Sequence, residues 1–433
     1  MASVAPVATF TEICSTFEET RSMFDTAHLP LAIALAAALG GTSPDAAAAQ
    51  DPPDPPPPLV VRLDSGLSVE TPDGSSKFQV GGLLQVDGRF DVGGAASPAA
   101  DTFVLRRVRP IVQGRVSRIF EFRLMPDFGN GTTMLFDAYV DVKLSRAFWV
   151  RAGKDKTPLG YEQLLPDFAV VFPERTLVTN LVPNRDIGVQ ARGDLARGHI
   201  SYVGGVFNGI PDGASGDLDA NNAKDVAGRL TVRAGGLGVA IAGTAGREAG
   251  GLPTLKTTAQ QAFFSYIGGA VADGTRVRVS PAVFVYSKQI GAFAEYVRST
   301  QAVAKGAARG DITNTAWEFT GLLVVTGERA TERGVAAPAR PFDPANGAWG
   351  ALQVAARYGS LTVDADAFAL GLASVGASRT AAAAGVDAAW SPTANIKYIF
   401  SYERTVFDGG ANGPRKPEHA LVFRLQVNLQ PSL

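Results

Sequence analysis

Residues able to make or break bonds are scarce in this chain. Only three histidines occur, His28, His199 and His419, and no Gly-x-Ser-x-Gly elbow or comparable nucleophile motif accompanies them. A His-based hydrolytic triad is therefore not expected. One cysteine, Cys14, and well-separated histidines supply almost no zinc ligands, so no metal site is expected either. Residues 212–222 (DGASGDLDANN) offer side-chain oxygens to a calcium ion, but Asn222 takes the glycine position of an EF-hand loop and Gly228 its glutamate position. A polar loop is the better expectation there. What remains is electrostatic chemistry by charged side chains held on one face of a strand.

The elements that would hold them are legible. A formal net charge of −1 and the lack of any basic run interleaved with aromatics exclude a general nucleic-acid binder. With 46% hydrophobic residues, 19% charged residues and 48 glycines, the 433-residue chain favours many short strands and turns over long charged helices. From Lys77 onward it breaks into segments of about ten residues that alternate apolar and polar side chains, as a transmembrane barrel does. Asp137, Tyr139, Asp141 and Lys143 face one way, and Phe136, Ala138, Val140, Val142 and Leu144 the other. Near the end, Leu421, Phe423, Leu425, Val427 and Leu429 oppose Val422, Arg424, Gln426 and Asn428, just as Phe120, Phe122 and Leu124 oppose Glu121 and Arg123.

A water-soluble sandwich also buries one face of each strand. Three features favour a membrane barrel. Aromatics lie near strand margins at Phe148, Trp149, Trp317, Trp349 and Tyr398. A very short connection at Ser117 and Arg118 contrasts with long polar ones at 208–224 and 327–347. An export signal occurs without a transmembrane helix. The expected fold is all-β, a single antiparallel transmembrane β-barrel of about sixteen strands over residues 77–433.

Residues 1–49 read as a leader. Residues 29–41 (LPLAIALAAALGG) form a signal-peptide h-region, Ala46 to Ala49 offer small residues for cleavage, and Met23 is the expected true start. Cleavage after Ala49 removes Arg21, five acids and Cys14, and turns the formal −1 into a mild +3. Residues 50–76 read as a Pro-rich periplasmic linker, with DPPDPPPP at 51–58 an extended spacer.

Several stretches resemble the phosphate-selective porin O and P family of Gram-negative outer membranes: LRRVR at Leu105 to Arg109, DAYVD at Asp137 to Asp141, RAGKDKTP from Arg151, NRDIGV from Asn184, GGVFNG from Gly204, RPFDP from Arg340 and WGALQVAARY from Trp349. Their order and spacing cover the chain from about Lys77 to its end. The resemblance implies a usually homotrimeric sixteen-stranded barrel in outer-membrane lipid, with no cofactor and no enzymatic activity. A loop folded into the lumen would form a constriction, expected at residues 160–185. Small anionic solutes, phosphate or similar oxyanions, would diffuse through it passively.

By the same resemblance, Arg106 and Arg107 are the constriction arginines, Arg89 is a companion and Asp137 a counter-charge; Arg109, Lys154, Lys156 and Arg185 complete the expected pore lining. Strand periodicity puts Arg107 and Arg109 on a face with Phe103, Leu105, Gln113 and Arg115, and Arg106 on the face of Val104, Val108 and Val112. Both members of the pair can face the lumen only across a bulge. The competing interpretation makes them ordinary lumen arginines that balance Glu121, Asp137 and Asp141, and Lys154 and Lys156 solvated strand-end lysines. Two features depart from the family pattern: the loop carries Glu162, Asp167, Glu174 and Asp186 against Arg175 and Arg185 with no lysine, and the chain continues past Phe423 to Leu433. A non-selective or mainly structural barrel, and thirdly an outer-membrane hydrolase, are the alternatives.

Overall fold

The computed structural model describes residues 59–429 except 64, 65, 94–100, 218, 220, 335, 336 and 411–414. The expected leader at 1–49 and the spacer at 51–58 lie outside the described residues. In chain order the strands are β1 (Val60–Leu63), β2 (Leu67–Glu70), β3 (Lys77–Asp91), β4 (Thr102–Val116), β5 (Phe120–Asp127), β6 (Met134–Lys143), β7 (Trp149–Asp155), β8 (Asp186–Leu195), β9 (Ile200–Phe207) and β10 (Asp225–Ala234). They continue as β11 (Leu237–Gly251), β12 (Leu255–Lys256), β13 (Ala262–Phe264), β14 (Val271–Ser287), β15 (Ile290–Lys305), β16 (Ala308–Val324), β17 (Ala351–Thr362), β18 (Thr380–Ser391), β19 (Ile396–Asp408) and β20 (Glu418–Leu429).

Sixteen of them, β3 to β11 and β14 to β20, pair antiparallel in sequence order, and β20 closes on β3 from Ala420 opposite Asp91 to Leu429 opposite Gly82. Closure leaves no open edge among these strands, which is what lipid demands of a spanning sheet. Among the described residues no helix is long and apolar enough to cross a membrane.

The period-2 pattern explains each wall. In β14, Val277, Val279, Val283 and Val285 point outward, whereas Arg276, Arg278, Ser280, Ala282 and Phe284 are buried inside. Outside, Phe342, Trp349, Trp390, Tyr398, Phe423 and Phe400 form a continuous row of ring contacts with centroids 4.9–6.2 Å apart, as an interfacial girdle would. Trp149 differs from that expectation, because it lines the lumen.

Ser117 and Arg118, both at positive φ, make the tight turn expected between β4 and β5. The long connection 325–350, which contains 327–347, leaves from the same end of the barrel as that turn. The long connection 208–224 lies at the opposite end, which also holds the short 306–307. Loop length therefore does not alternate strictly, and part of 325–350 is spent inside the barrel. The paired sheet also starts ahead of Lys77. β1 and β2 form a hairpin, and β2 takes the edge of β3, Leu67 opposite Val80, just past the end of β20.

Loops fill part of the lumen. Leu159, Leu177, Val178, Leu181 and Val182 from residues 156–185 pack with Leu255, Phe263 and Phe264 of the β12–β13 hairpin, and with Val297, Val303, Ile312 and Leu361 of the wall. This apolar wedge occupies the β15–β17 side and leaves the polar path along β4 to β10.

Candidate functional site: a charged neck in the lumen

Two bulges aim the key side chains. Gln85 pairs with Arg107 but Val86 pairs with Leu105, so Arg106 is an extra residue in β4. The parity of the strand switches there: Phe103 and Leu105 face out, 78% and 55% exposed, while Arg107 and Arg109 face in, 4% and 3% exposed. The single face expected for Phe103, Leu105, Arg107 and Arg109 is thus broken in two, and Arg106 reaches the lumen with its neighbours. In β6, Met125 pairs with Asp137 and Pro126 with Leu135, which makes Phe136 the extra residue. Its ring lies under the guanidiniums of Arg109 and Arg185, each 4.3 Å from the centroid, and not on the outer face expected from alternation.

Residues 156–185 leave β7, cross the lumen and return to β8, as expected of a constriction loop. Tyr161 of its short helix (Tyr161–Leu164) stacks on Phe284, with centroids 4.7 Å apart, and its backbone N–H donates to Glu295 Oε1 at 2.7 Å. That anchor fixes one end of the loop on β14 and β15. Gly153, at φ +124°, lets the β6 backbone come close where the loop departs, since a Cβ there would sit 2.2 Å from the Ala138 carbonyl oxygen.

The loop brings Asp167 and Glu174 to the arginine wall. Asp167 accepts from Arg109, and from Arg175 Nη1 at 2.6 Å, with Arg107 and Arg185 at 3.6 and 3.7 Å. Glu174 accepts from Arg106 Nε at 2.5 Å and Nη2 at 2.9 Å and from Arg89 at 2.5 Å, with Arg424 at 3.6 Å. Asp87 takes both arms of Arg424 at 2.6 and 2.8 Å, Asp127 takes Arg109 Nε at 2.7 Å, and Asp137 takes Arg185 at 2.8 Å and Arg123 at 3.1 Å. Eight guanidiniums thus share five carboxylates in two adjacent networks, Arg107, Arg109, Arg123, Arg175 and Arg185 with Asp127, Asp137 and Asp167, and Arg89, Arg106 and Arg424 with Asp87 and Glu174. Held in this way, the cations keep fixed positions and a net positive field.

Two cavities flank the Asp167 network. One of about 840 Å³ on the short-turn side is lined by nine basic and four acidic residues, among them Arg151, Arg192, Arg229 and Arg233. The other, about 490 Å³, is lined by six basic and three acidic residues, among them Arg106, Arg107, Arg175 and Lys256. Arg109, Asp167 and Arg185 line both, and so mark the neck between them.

Of the residues expected from sequence, Arg106, Arg107, Arg109, Asp137 and Arg185 meet at the neck or in its lining. Arg89 braces Glu174 from a smaller cavity of about 130 Å³. Lys156 lines the larger cavity, with Nζ donating to the Leu165 carbonyl oxygen at 2.7 Å. Lys154 lines neither: it is 2% exposed and its ammonium pairs with Asp217, so it is neither in the lining of these cavities nor a solvated strand-end lysine. Arg424, Arg123 and Phe136 were not expected. Arg424 sits on the polar face seen in the sequence, but only closure of β20 on β3 places it opposite Asp87.

Both loop carboxylates are strongly acidic. Burial pushes Asp167 upward, but Arg109, Arg175, Arg107 and Lys156 together hold it well below the usual carboxylate range; Glu174 behaves alike, with Arg106 and Arg89 outweighing burial. A depressed carboxylate contributes stability above its unfolded value that is lost only as pH falls through its folded value. Burial instead raises Glu162, so acidification favours its enclosed place on the same loop. We expect bilayer conductance to stay constant from neutral pH down through about 4, the range in which free Asp and Glu titrate. A conductance step between about pH 4 and 5 would contradict the docked geometry.

The imidazoles have no serine or cysteine partner among the described residues. His199 Nδ1 lies 2.9 Å from the Arg233 carbonyl oxygen, and His419 Nδ1 lies 2.7 Å from the Tyr402 hydroxyl. Among the described residues no group of three acidic, Cys or His side chains is placed to hold a metal.

The family model for phosphate-selective porin O and P matches residues 78–429. The chain belongs to that family. This porin is similar in fold to the outer-membrane channel DcaP of Acinetobacter baumannii, at 12% identity and TM-score 0.54, covering 83% of this chain and 98% of that one. OmpF of Salmonella typhi, solved in complex with daunomycin, gives 9% identity and TM-score 0.52 over 82% and 98%. OmpT of Vibrio cholerae in its trimer form gives 10% and 0.50 over 82% and 99%. No curated protein matches the chain by sequence. The porin is an outer-membrane β-barrel channel of a Gram-negative bacterium, and its barrel, family and location agree with what the sequence motifs implied.

Proposed function

We propose that this porin passes small solutes by passive diffusion, prefers anions, phosphate or similar oxyanions among them, and performs no catalysis. The observation that carries this is the surplus of guanidinium over carboxylate at the neck and in both adjoining cavities. A low-dielectric wall with a net positive field raises the local anion concentration. Because most of the arginines are already paired, only the surplus attracts a passing anion, which keeps binding weak enough for release. Arg107 is the residue we assign to oxyanion contact: it lines the cavity of about 490 Å³, its Nη1 donates to Gln85 at 2.5 Å, and its buried Nε has no partner. Arg106, Arg109, Arg185 and Lys156 complete the path, with Arg89 and Asp137 as bracing charges. Lys154 has no part in it. We further propose export through the leader at 1–49 and a homotrimer as the working assembly.

The test is single-channel current in chloride with inorganic phosphate added. Phosphate is expected to reduce chloride current in the wild type, and Arg107→Ala to weaken that block about tenfold, the scale of one charge-assisted contact. Equal block in both proteins would remove Arg107 from the path. No block in the wild type would leave a general porin.

A further inference from the structure

The cavity of about 490 Å³ has two chemically different walls. One carries the guanidiniums of Arg106, Arg107, Arg109, Arg175 and Arg185. The other includes Thr254, Lys256 and Gln260, from β12 and the residues on either side of it, and the side chains of these three have no hydrogen-bond or ion-pair partner among the described residues. The backbone that presents them is held in place. Leu255, Phe263 and Phe264 are buried in the apolar wedge, and Asn180 of the constriction loop clasps the Lys256 backbone, its Nδ2 donating to the carbonyl oxygen at 2.9 Å and its Oδ1 accepting from the N–H at 2.8 Å. In the turn between β12 and β13 the Thr257 N–H donates to the Gln261 carbonyl oxygen at 2.8 Å and the Gln260 N–H to the Thr257 carbonyl oxygen at 2.9 Å, which keeps Gln260 at φ +67°. Glycine or asparagine ordinarily takes that conformation. A glutamine held there stores backbone strain of the kind that collects at ligand clamps.

We infer that this cavity recognises oxyanions that carry a hydroxylated body, with sugar phosphates as the solute class. The inference rests on the anion preference proposed above and adds the uncharged part of the solute. A volume of about 490 Å³ lies in the range of sites that hold a whole organic molecule, and a bare phosphate leaves most of it to water. The phosphoryl group sits against Arg107, where paired N–H donors favour it. The sugar hydroxyls meet the Gln260 amide and the Thr254 hydroxyl, each able to donate and to accept, and the Lys256 ammonium, which donates. An ester with an apolar body displaces water from these groups and returns no hydrogen bond. The second wall therefore discriminates among anions of equal charge.

The test is block of chloride current at about pH 8, where a phosphate monoester is a dianion. Glucose 6-phosphate is compared with cyclohexyl phosphate, an ester of equal charge with an apolar ring, and inorganic phosphate is the reference. Glucose 6-phosphate is expected to block the wild type at about tenfold lower concentration than cyclohexyl phosphate, the scale of two neutral hydrogen bonds. Thr254→Val combined with Gln260→Gly removes two of the polar groups and lets the turn keep its positive φ. In that variant the two esters are expected to block alike, with the heat-dependent shift on a denaturing gel showing that the barrel is folded. Equal block by the two esters in the wild type, or a difference that survives in the double variant, would overturn the inference. If inorganic phosphate blocks the wild type while the two esters act alike, the recognition of hydroxyls falls and the anion preference stands. If none of the three anions blocks, both fall.

Discussion

Asp167→Asn is expected to raise the anion-to-cation permeability ratio of the channel several-fold. Asp167 lines both cavities and lies within 4 Å of four guanidiniums, those of Arg107, Arg109, Arg175 and Arg185. A unit charge about 6 Å from a passing monovalent ion is worth about 0.7 kcal/mol at the dielectric of water. That changes the local concentration of one ion sign about threefold, and the ratio of the two signs about tenfold, before screening. Screening over about 10 Å at about 0.1 M salt reduces the effect, so it is read best at low salt. The carboxamide keeps the shape of the side chain and one acceptor oxygen. The loop stays docked through Tyr161, Glu174 and the apolar wedge, and stability falls by about 1.5–3 kcal/mol, the scale of a lost charged hydrogen bond. A reversal potential identical to wild type would mean that ions do not pass beside Asp167.

The opposite change, Arg109→Ala with Arg185→Ala, should bring the ratio down toward unity while conductance rises. These two guanidiniums cover Phe136 and, with Asp167, separate the cavities. Their removal widens the neck and leaves Asp127, Asp137 and Asp167 with fewer cations. Two charges at the scale used above amount to about 1.4 kcal/mol, enough to cancel a modest preference. Either single variant should fall between wild type and the pair. Loss of the folded barrel, seen as loss of the heat-dependent shift on a denaturing gel, would show instead that the pair is structural.

The barrel was legible because lipid enforces a period of two. Alternation at 421–429 and 120–124 needs no knowledge of neighbouring strands, and the quoted motifs fixed the family. The site was legible in part. Arg106, Arg107, Arg109 and Asp137 lie close together in the chain, and the loop was recognisable as the long segment after Arg151. Two things lay beyond a single strand. One is parity: an extra residue at Arg106 or Phe136 reverses the face of everything on one side of it, and no local signal marks it except Pro126 opposite the second bulge. The other is closure. Arg424 and Asp87 are 337 positions apart and meet only because the last strand pairs with β3. Lys154 was misplaced for a related reason, since Asp217 reaches it from the connection 208–224. The inward part of the connection 325–350 gave no signal, because a long polar connection looks the same whether it folds inward or outward.

The most direct measurement is the reversal potential of the purified wild-type porin in a planar bilayer under a potassium chloride gradient at low ionic strength. A surplus of fixed guanidiniums at the neck predicts a potential displaced toward the chloride equilibrium value and reduced as salt is raised. A potential at zero, or displaced toward potassium, would contradict it.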